Sequence, residues 1–215
     1  MAIAAPPRFD PAFRAQLAAL FAWRRDVRRF SAEPLPEGTL EGLLDLATLA
    51  PSVGLSQPWR FVTVADAGRR EAVRANFRAC NAQALACQEG ERAARYAALK
   101  LAGLDEAPCH FAVFNEDDPA QGRGLGRATM PETTAYSTVM AVHTLWLAAR
   151  ASGLGLGWVS ILDPPTLTAL LDVPRHWRFI GYFCLGMPSA QDDTPELERL
   201  GWECRSLRAD QHLLR

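Results

Sequence analysis

Four guanidinium groups crowd around one carboxylate in the segment Arg24-Arg25-Asp26-Val27-Arg28-Arg29-Phe30. Arginine presents a planar fork of donors suited to bidentate recognition of phosphate or carboxylate. At a helix end such a run reads either as a phosphate grip or as a solvated terminus, because arginine in a last turn also complements the helix dipole. On this cluster alone both readings stand. Asp26 is the more informative residue. Flanked by cations, it is expected to remain ionised, since nearby positive charge favours the carboxylate, and this makes it a candidate base or hydrogen-bond acceptor.

A second segment, Ala50-Pro51-Ser52-Val53-Gly54-Leu55-Ser56-Gln57-Pro58-Trp59-Arg60-Phe61, joins a helix to a strand. Its prolines stiffen the loop, its glycine permits close backbone approach, and its two hydroxyls and one amide can hydrogen-bond a polar ring. The third segment is Gly153-Leu154-Gly155-Leu156-Gly157-Trp158-Val159-Ser160. A dinucleotide fingerprint follows a strand and opens a helix, whereas these glycines follow a helix and enter a strand. They are expected to let backbone amides approach a ligand or a packed neighbour, with Ser160 presented at the strand. The chain has no GxxxxGK[ST] loop and no GxSxG elbow, the marks of a P-loop and a serine hydrolase. Five cysteines without a CxxC, and four histidines without HxxxH spacing, speak against a disulfide framework or a zinc site. Cys109 and His110 sit in an apolar run, on opposite faces of a strand.

Several elements must position these segments. Asp10-Pro11 reads as an N-cap followed by a first-turn proline, opening a helix that runs into the arginine segment. A second helix is predicted from near Pro36, with Leu40, Leu43, Leu44 and Ala47 at helical spacing, ending before Pro51. Strands are expected at Trp59–Asp66, in the run from Cys109 to Asn115, at Gly157–Leu162 and at Phe179–Leu185. From Asp66 to about Leu101 the composition predicts one long helix or two joined near Gly90. Glu116–Pro131, with three alternating glycines, reads as a mobile loop. The helix predicted from about Glu132 to Ser152 is apolar nearly all round, which implies burial on most of its surface. Asp163-Pro164-Pro165 caps a short helix, and the residues from Met187 onward form a polar tail.

The length, 215 residues, suits one domain at roughly 150 residues each. Hydrophobic residues make up 49% and charged ones 22%, the balance of a globular chain. The 23 basic and 24 acidic residues leave a formal charge of −1, so no global field draws the protein to nucleic acid or an anionic membrane. Any anion must be held by a local cluster. The basic count holds a single lysine, Lys100. No apolar window reaches the roughly 18 residues of a membrane helix, and the N-terminus lacks a secretory pattern; a cytoplasmic location is the expectation.

In this order, and in a chain of this length, the three segments resemble those of the nitroreductase-like flavoproteins, and within them the 5,6-dimethylbenzimidazole synthase family, flavin-fragmenting enzymes of aerobic cobalamin biosynthesis. RRDVRRF resembles that family's opening motif, in which an acidic residue replaces the serine of ordinary nitroreductases. APSVGLSQPWRF resembles the second motif, and GLGLGWVS, preceded by WLAAR, the third. The resemblance runs from about Arg24 to Met187. Leu55 departs from the asparagine frequent in ordinary nitroreductases.

The resemblance implies an α+β sandwich in which a mixed, mostly antiparallel sheet is flanked by helices. It implies a single domain over residues 1–215 and an intertwined homodimer with FMN in each interface, the tail from about 188 to 215 packing on the partner subunit. Read without it, the alternation of strands and helices after Trp59 suggests a parallel, doubly wound sheet. By position, Arg24, Arg25 and Arg28 match residues holding the FMN phosphate and ribityl chain. Val27 and Ser52 match flavin contacts, Leu104 a backbone contact to the ring, and Arg205 a further phosphate-binding arginine. Asp26 and Ser160 match the pair associated with fragmentation; no metal is implied. The implied activity consumes reduced FMN with dioxygen, releasing 5,6-dimethylbenzimidazole and erythrose 4-phosphate, with a separate flavin reductase as a further partner. In that scheme Asp26 accepts or orients a proton, Ser160 hydrogen-bonds near the reacting edge, and Gly122–Gly126 forms a lid. Two other activities suit the same segments: a generic NAD(P)H-dependent FMN nitroreductase or quinone reductase, and a non-catalytic flavin-binding module.

Overall fold

The computed structural model describes residues 6–99, 102–206 and 211–214; Lys100 lies outside them. Helix α1 (Pro11–Trp23) opens as its sequence predicts, the Asp10 carboxylate accepting from the Phe13 amide at 2.7 Å with Pro11 in the first turn. Helix α2 (Thr39–Ala47) buries Leu40, Leu43 and Ala47. It starts three residues after Pro36, whose carbonyl accepts from the Thr39 hydroxyl at 2.6 Å. Helices α3 (Ala67–Ala86) and α4 (Gly90–Ala98) part at the expected joint, where Gly90 takes φ +56°. A single turn, α5 (Gly103–Glu106), precedes the strand that follows Pro108.

Strands β1 (Trp59–Thr63), β2 (Cys109–Glu116), β3 (Gly155–Val159) and β4 (Trp177–Gly186) form a sheet in the order β1-β2-β4-β3. Each neighbouring pair is antiparallel. This overturns the parallel, doubly wound arrangement that strand–helix alternation suggests and agrees with the α+β expectation. Between β3 and β4, helix α7 (Pro164–Leu170) turns the chain back so that β4 runs against β3. Parallel pairing enters through an isolated bridge between Asp26 and Leu156.

The sheet is covered on both faces. Alternation along β2 and β4 sends Ala112, Phe114, Tyr182 and Cys184 into one layer with Val73 of α3 and Leu167 of α7. It sends Phe111, Val113, Phe183 and Leu185 into the other, with Leu43 of α2 and Val142 and Leu145 of helix α6 (Thr133–Ala151). Phe111 and Phe183 stack there, ring centroids 5.2 Å apart. His110 and Cys109 point to opposite faces as expected. His110 is buried, Nδ1 paired with the Tyr182 hydroxyl and Nε2 with the Ala107 carbonyl, each at 3.0 Å.

Two expectations are corrected. Helix α6 is not buried nearly all round: Tyr136, Val139 and Met140 are 54%, 39% and 40% exposed, a stripe at helical spacing that hydropathy alone does not separate from the core side. Strand β3 runs over Gly155–Val159 rather than Gly157–Leu162, so Ser160 falls just beyond its end. Among the described residues no helix is long and apolar enough to cross a membrane.

Candidate active site

The arginine segment leaves α1 in extended form and runs beside β3, the Val27 amide donating to the Leu156 carbonyl at 3.1 Å. The alternating glycines of β3 make this crossing possible. A Cβ on Gly155 would lie 2.7 Å from Val27 Cγ2, and one on Gly157 would strike the Val27 carbonyl. Of the two roles expected for these glycines, the structure shows approach by a packed neighbour, and that neighbour is Val27. The crossing brings the Asp26 carboxylate under the strand: Oδ1 accepts from the Trp158 amide at 2.8 Å, and Oδ2 lies 3.7 Å from Arg28 Nε.

At Asp26 burial works against the flanking arginines. Burial raises its pKa above the ordinary carboxylate value, outweighing the Trp158 hydrogen bond and the charges of Arg28 and Arg24, which lower it; Glu196 adds to the rise. The side chain keeps 38% of its surface accessible and faces a cleft of about 250 Å³ shared with Arg28, Arg29, Thr194, Glu196 and Arg199. Protein nevertheless packs closely enough around the carboxyl for desolvation to dominate. Sequence shows which charges neighbour a carboxyl in the chain but not how much water the fold removes from it.

Three guanidinium groups gather beside this cleft. Arg24 lies over the Trp146 ring, 4.8 Å from its centroid, and the Trp146 indole donates to the Arg25 carbonyl at 3.0 Å. Arg25 donates to the carbonyls of Ala22, Arg24 and Asp193, yet its Nε is buried with no hydrogen-bond partner. Burial lowers the pKa of both arginines, and the positive charge of Arg205 lowers both further. The tail therefore returns Arg205 to the arginine run. Crowded cations with an unpartnered buried donor are what an anion with several acceptor oxygens would relieve, and a phosphate monoester suits this donor set.

Ser52 sits in the second segment, its Oγ accepting from the Gln57 amide at 3.1 Å. A 3₁₀ turn at Val53–Leu55 follows it, and Gly54, Leu55 and Gln57 take φ of +56°, +54° and +44°. Backbone in this region is rare for leucine and glutamine and persists only where its surroundings enforce it. The glycine-rich stretch expected to be mobile is seated against this loop. A Cβ on Gly122 would lie 2.7 Å from the Gly54 carbonyl, and the Gln121 amide donates to the Leu55 carbonyl at 2.7 Å.

Ser160 is exposed, two residues beyond the Trp158 amide that holds Asp26, so β3 places both at one strand end. Leu104 is 2% exposed and lies in the core, its carbonyl accepting from Arg74 Nε at 2.9 Å. That carbonyl is therefore already engaged, and α5 is tied to the arginine segment instead through Glu106, whose carboxylate accepts from the Phe30 amide at 2.9 Å. Glu106 sits in no motif, and Trp146 opens the WLAAR stretch without any role for it being legible there; each acts through a backbone group distant in the chain. The tail lies partly on the chain's own body: Ser189 donates to the Arg29 carbonyl at 3.1 Å, and Trp202 meets Tyr96 with ring centroids 6.2 Å apart.

The sequence profile of the Nitroreductase family matches residues 21–187. A Rhodospirillum rubrum protein named 5,6-dimethylbenzimidazole synthase is 60% identical over 199 residues, covering 93% of this chain and 94% of its own. A Rhodobacter capsulatus protein of the same name is 49% identical, with 91% and 94% covered. Among solved structures, oxidized iodotyrosine deiodinase bound to FMN and 3-iodo-L-tyrosine superposes with a TM-score of 0.68 at 26% identity, over 82% of this chain and 91% of that one. The matched stretch begins just before the arginine run and ends just after β4, taking in the arginine segment, the 52–57 loop and β3, and the chain belongs to the nitroreductase family, among its 5,6-dimethylbenzimidazole synthases.

Proposed function

We propose that this protein uses dioxygen to fragment reduced FMN, bound as a substrate, into 5,6-dimethylbenzimidazole and erythrose 4-phosphate. One observation carries the reading: a desolvated carboxyl, Asp26, is held on the Trp158 amide beside a cluster of guanidiniums in which Arg25 Nε is buried without a partner. An ordinary flavin reductase has no evident use for an acid in that place, while a reaction that breaks bonds within the flavin must move protons. The identity to proteins named as 5,6-dimethylbenzimidazole synthases supports the same reading.

The roles follow from the chain's own groups. Arg24, Arg25 and Arg205 hold the phosphate, with Arg28 reaching the ribityl chain; Val27 and Ser52 line the flavin, and Leu104 offers it a backbone contact through its amide. When bound, FMN supplies the dimethylbenzene ring and the electrons that dioxygen accepts. Asp26, whose pKa burial raises, takes or returns a proton at the ribityl or ring polar atoms. Ser160 hydrogen-bonds near the reacting edge. The Gly122–Gly126 turn is seated on the 52–57 loop and acts as a lid that excludes water from the reaction.

The chain acts as one domain in a homodimer. Exposed apolar residues on α1 (Phe13, Phe21 and Trp23) and on α6 (Val139 and Met140) supply a self-complementary surface, and the tail beyond about residue 188 contributes contacts to the second copy. A separate flavin reductase supplies reduced FMN, and the protein works in the cytoplasm. The test is a pair of variants: Asp26→Asn and Ser160→Gly should each abolish 5,6-dimethylbenzimidazole formation while changing FMN affinity less than about threefold. Undiminished product formation in both would remove these residues from the reaction.

A further inference from the structure

The 52–57 loop holds Gly54, Leu55 and Gln57 at positive φ, a conformation that strains leucine and glutamine and persists only where the surroundings enforce it. Bonds within the loop, from the Leu55 amide to the Ser52 carbonyl and from the Ser56 amide to the Val53 carbonyl, both at 3.0 Å, close the turn. They do not fix it to the rest of the molecule. A bond from α6 does. The Val53 amide donates to Ser137 Oγ at 3.0 Å, and the same hydroxyl donates to the Thr133 carbonyl at 2.7 Å. Serine in a helix usually spends its hydroxyl on such a back-bond to no advantage. Here the back-bond aims the oxygen's free acceptor at the loop. Ser137 is 1% exposed.

Two neighbours fix the helix that carries it. Thr134 and Thr138, both fully buried, bond a buried asparagine at the end of β2: Asn115 Nδ2 donates to Thr134 Oγ1 at 3.1 Å, and Thr138 Oγ1 donates to Asn115 Oδ1 at 2.7 Å. Apolar side chains could fill this layer. A satisfied buried polar network adds one definite orientation of the helix on the sheet, and that orientation decides where Ser137 points.

We propose that Ser137 is a positioning residue for flavin binding: through the Val53 amide it holds the 52–57 loop in the strained conformation that presents Ser52, while Asn115 and Thr138 set the helix that aims it. This rests on the reading that the Ser52 loop holds the flavin. No group on Ser137 needs to touch the substrate.

The test compares Ser137→Ala with Thr144→Ala. Thr144 is on the same helix and makes the same kind of back-bond, to the Met140 carbonyl at 3.0 Å, from the exposed side. Ser137→Cys, near-isosteric with a weaker acceptor, serves as a second variant should the alanine variant fold poorly. Oxidised FMN is the binding probe, and hydrogen exchange reports the Val53 amide directly. Ser137→Ala should speed exchange at Val53 and weaken FMN binding, each by about tenfold as expected for one lost buried hydrogen bond. Ser137→Cys should fall between it and the parent, and Thr144→Ala should change neither. Unchanged Val53 exchange, or FMN weakening matched by Thr144→Ala, overturns the proposal. If Ser52→Ala weakens FMN binding and Ser137→Ala does not, the proposal alone fails. If Ser52→Ala leaves FMN affinity unchanged, the flavin reading of this loop fails, whatever Val53 does.

Discussion

Asp26 shows how far a residue's setting alters its chemistry. Burial makes its folded-state pKa higher than its unfolded one, so the native protein binds this proton more tightly than the unfolded chain does. Its contribution to stability is thus complete only below the ordinary carboxyl pKa of about 3.9, and it is lost as pH rises through the raised value. Asp26→Asn keeps an oxygen for the Trp158 amide but has no charge to desolvate. The melting temperature of the variant minus that of the parent should therefore become more positive as pH rises from about 4. A difference that stays flat or falls would show that burial does not dominate at this carboxyl. The identity of Asp26 as the residue to watch was legible in the sequence. The upward shift of its pKa was not, because four flanking arginines are visible in a string of letters while desolvation is a property of the packed fold. The gathering of Arg205 with Arg24 and Arg25 was likewise expected only from resemblance, since about 180 residues separate them in the chain.

Among elements, β3 does the most to build the site. Its glycines admit Val27, its Trp158 amide holds Asp26, and its end carries Ser160. Adding one methyl group at Gly157 would drive a Cβ into the Val27 carbonyl, and a backbone atom cannot move aside as a flexible side chain can. Gly157→Ala should cost at least the 1–3 kcal/mol typical of overpacking and weaken FMN binding by displacing Asp26 and the arginines together. Equal melting temperatures and equal FMN affinity would contradict the crossing. Element boundaries marked by capping chemistry were readable in advance: Asp10 and Asp163, each followed by proline, accept a first-turn amide at 2.7 and 2.9 Å. The direction of β4 was not, since nothing local distinguishes a helix that crosses a sheet from one that reverses the chain. Nor was the bond from Ser137 to Val53, which depends on how α6 is rotated against the sheet.

For the whole molecule, apolar surface without a partner is the main feature left outside the core. Helix α1 buries none of its residues and exposes Phe13, Phe21 and Trp23, and α6 exposes Tyr136, Val139 and Met140, the kind of apolar surface that marks an interface between chains. Sedimentation should give a particle of about twice the 23.6 kDa chain mass, and Met140→Glu should shift it toward the single chain with a loss of FMN affinity. A single chain at micromolar concentration that binds FMN fully would contradict both the dimer and a flavin site at its interface. The uniform hydrophobicity of α6 was plain in the sequence, but one stripe is buried within the chain and another faces outward, and composition treats the two alike. Incubating the purified protein with reduced FMN in air and separating the products by chromatography tests the chemistry most directly. 5,6-Dimethylbenzimidazole should form as FMN disappears; steady NAD(P)H oxidation over many turnovers, with FMN recovered intact and no benzimidazole, would show the protein to be an ordinary flavin reductase instead.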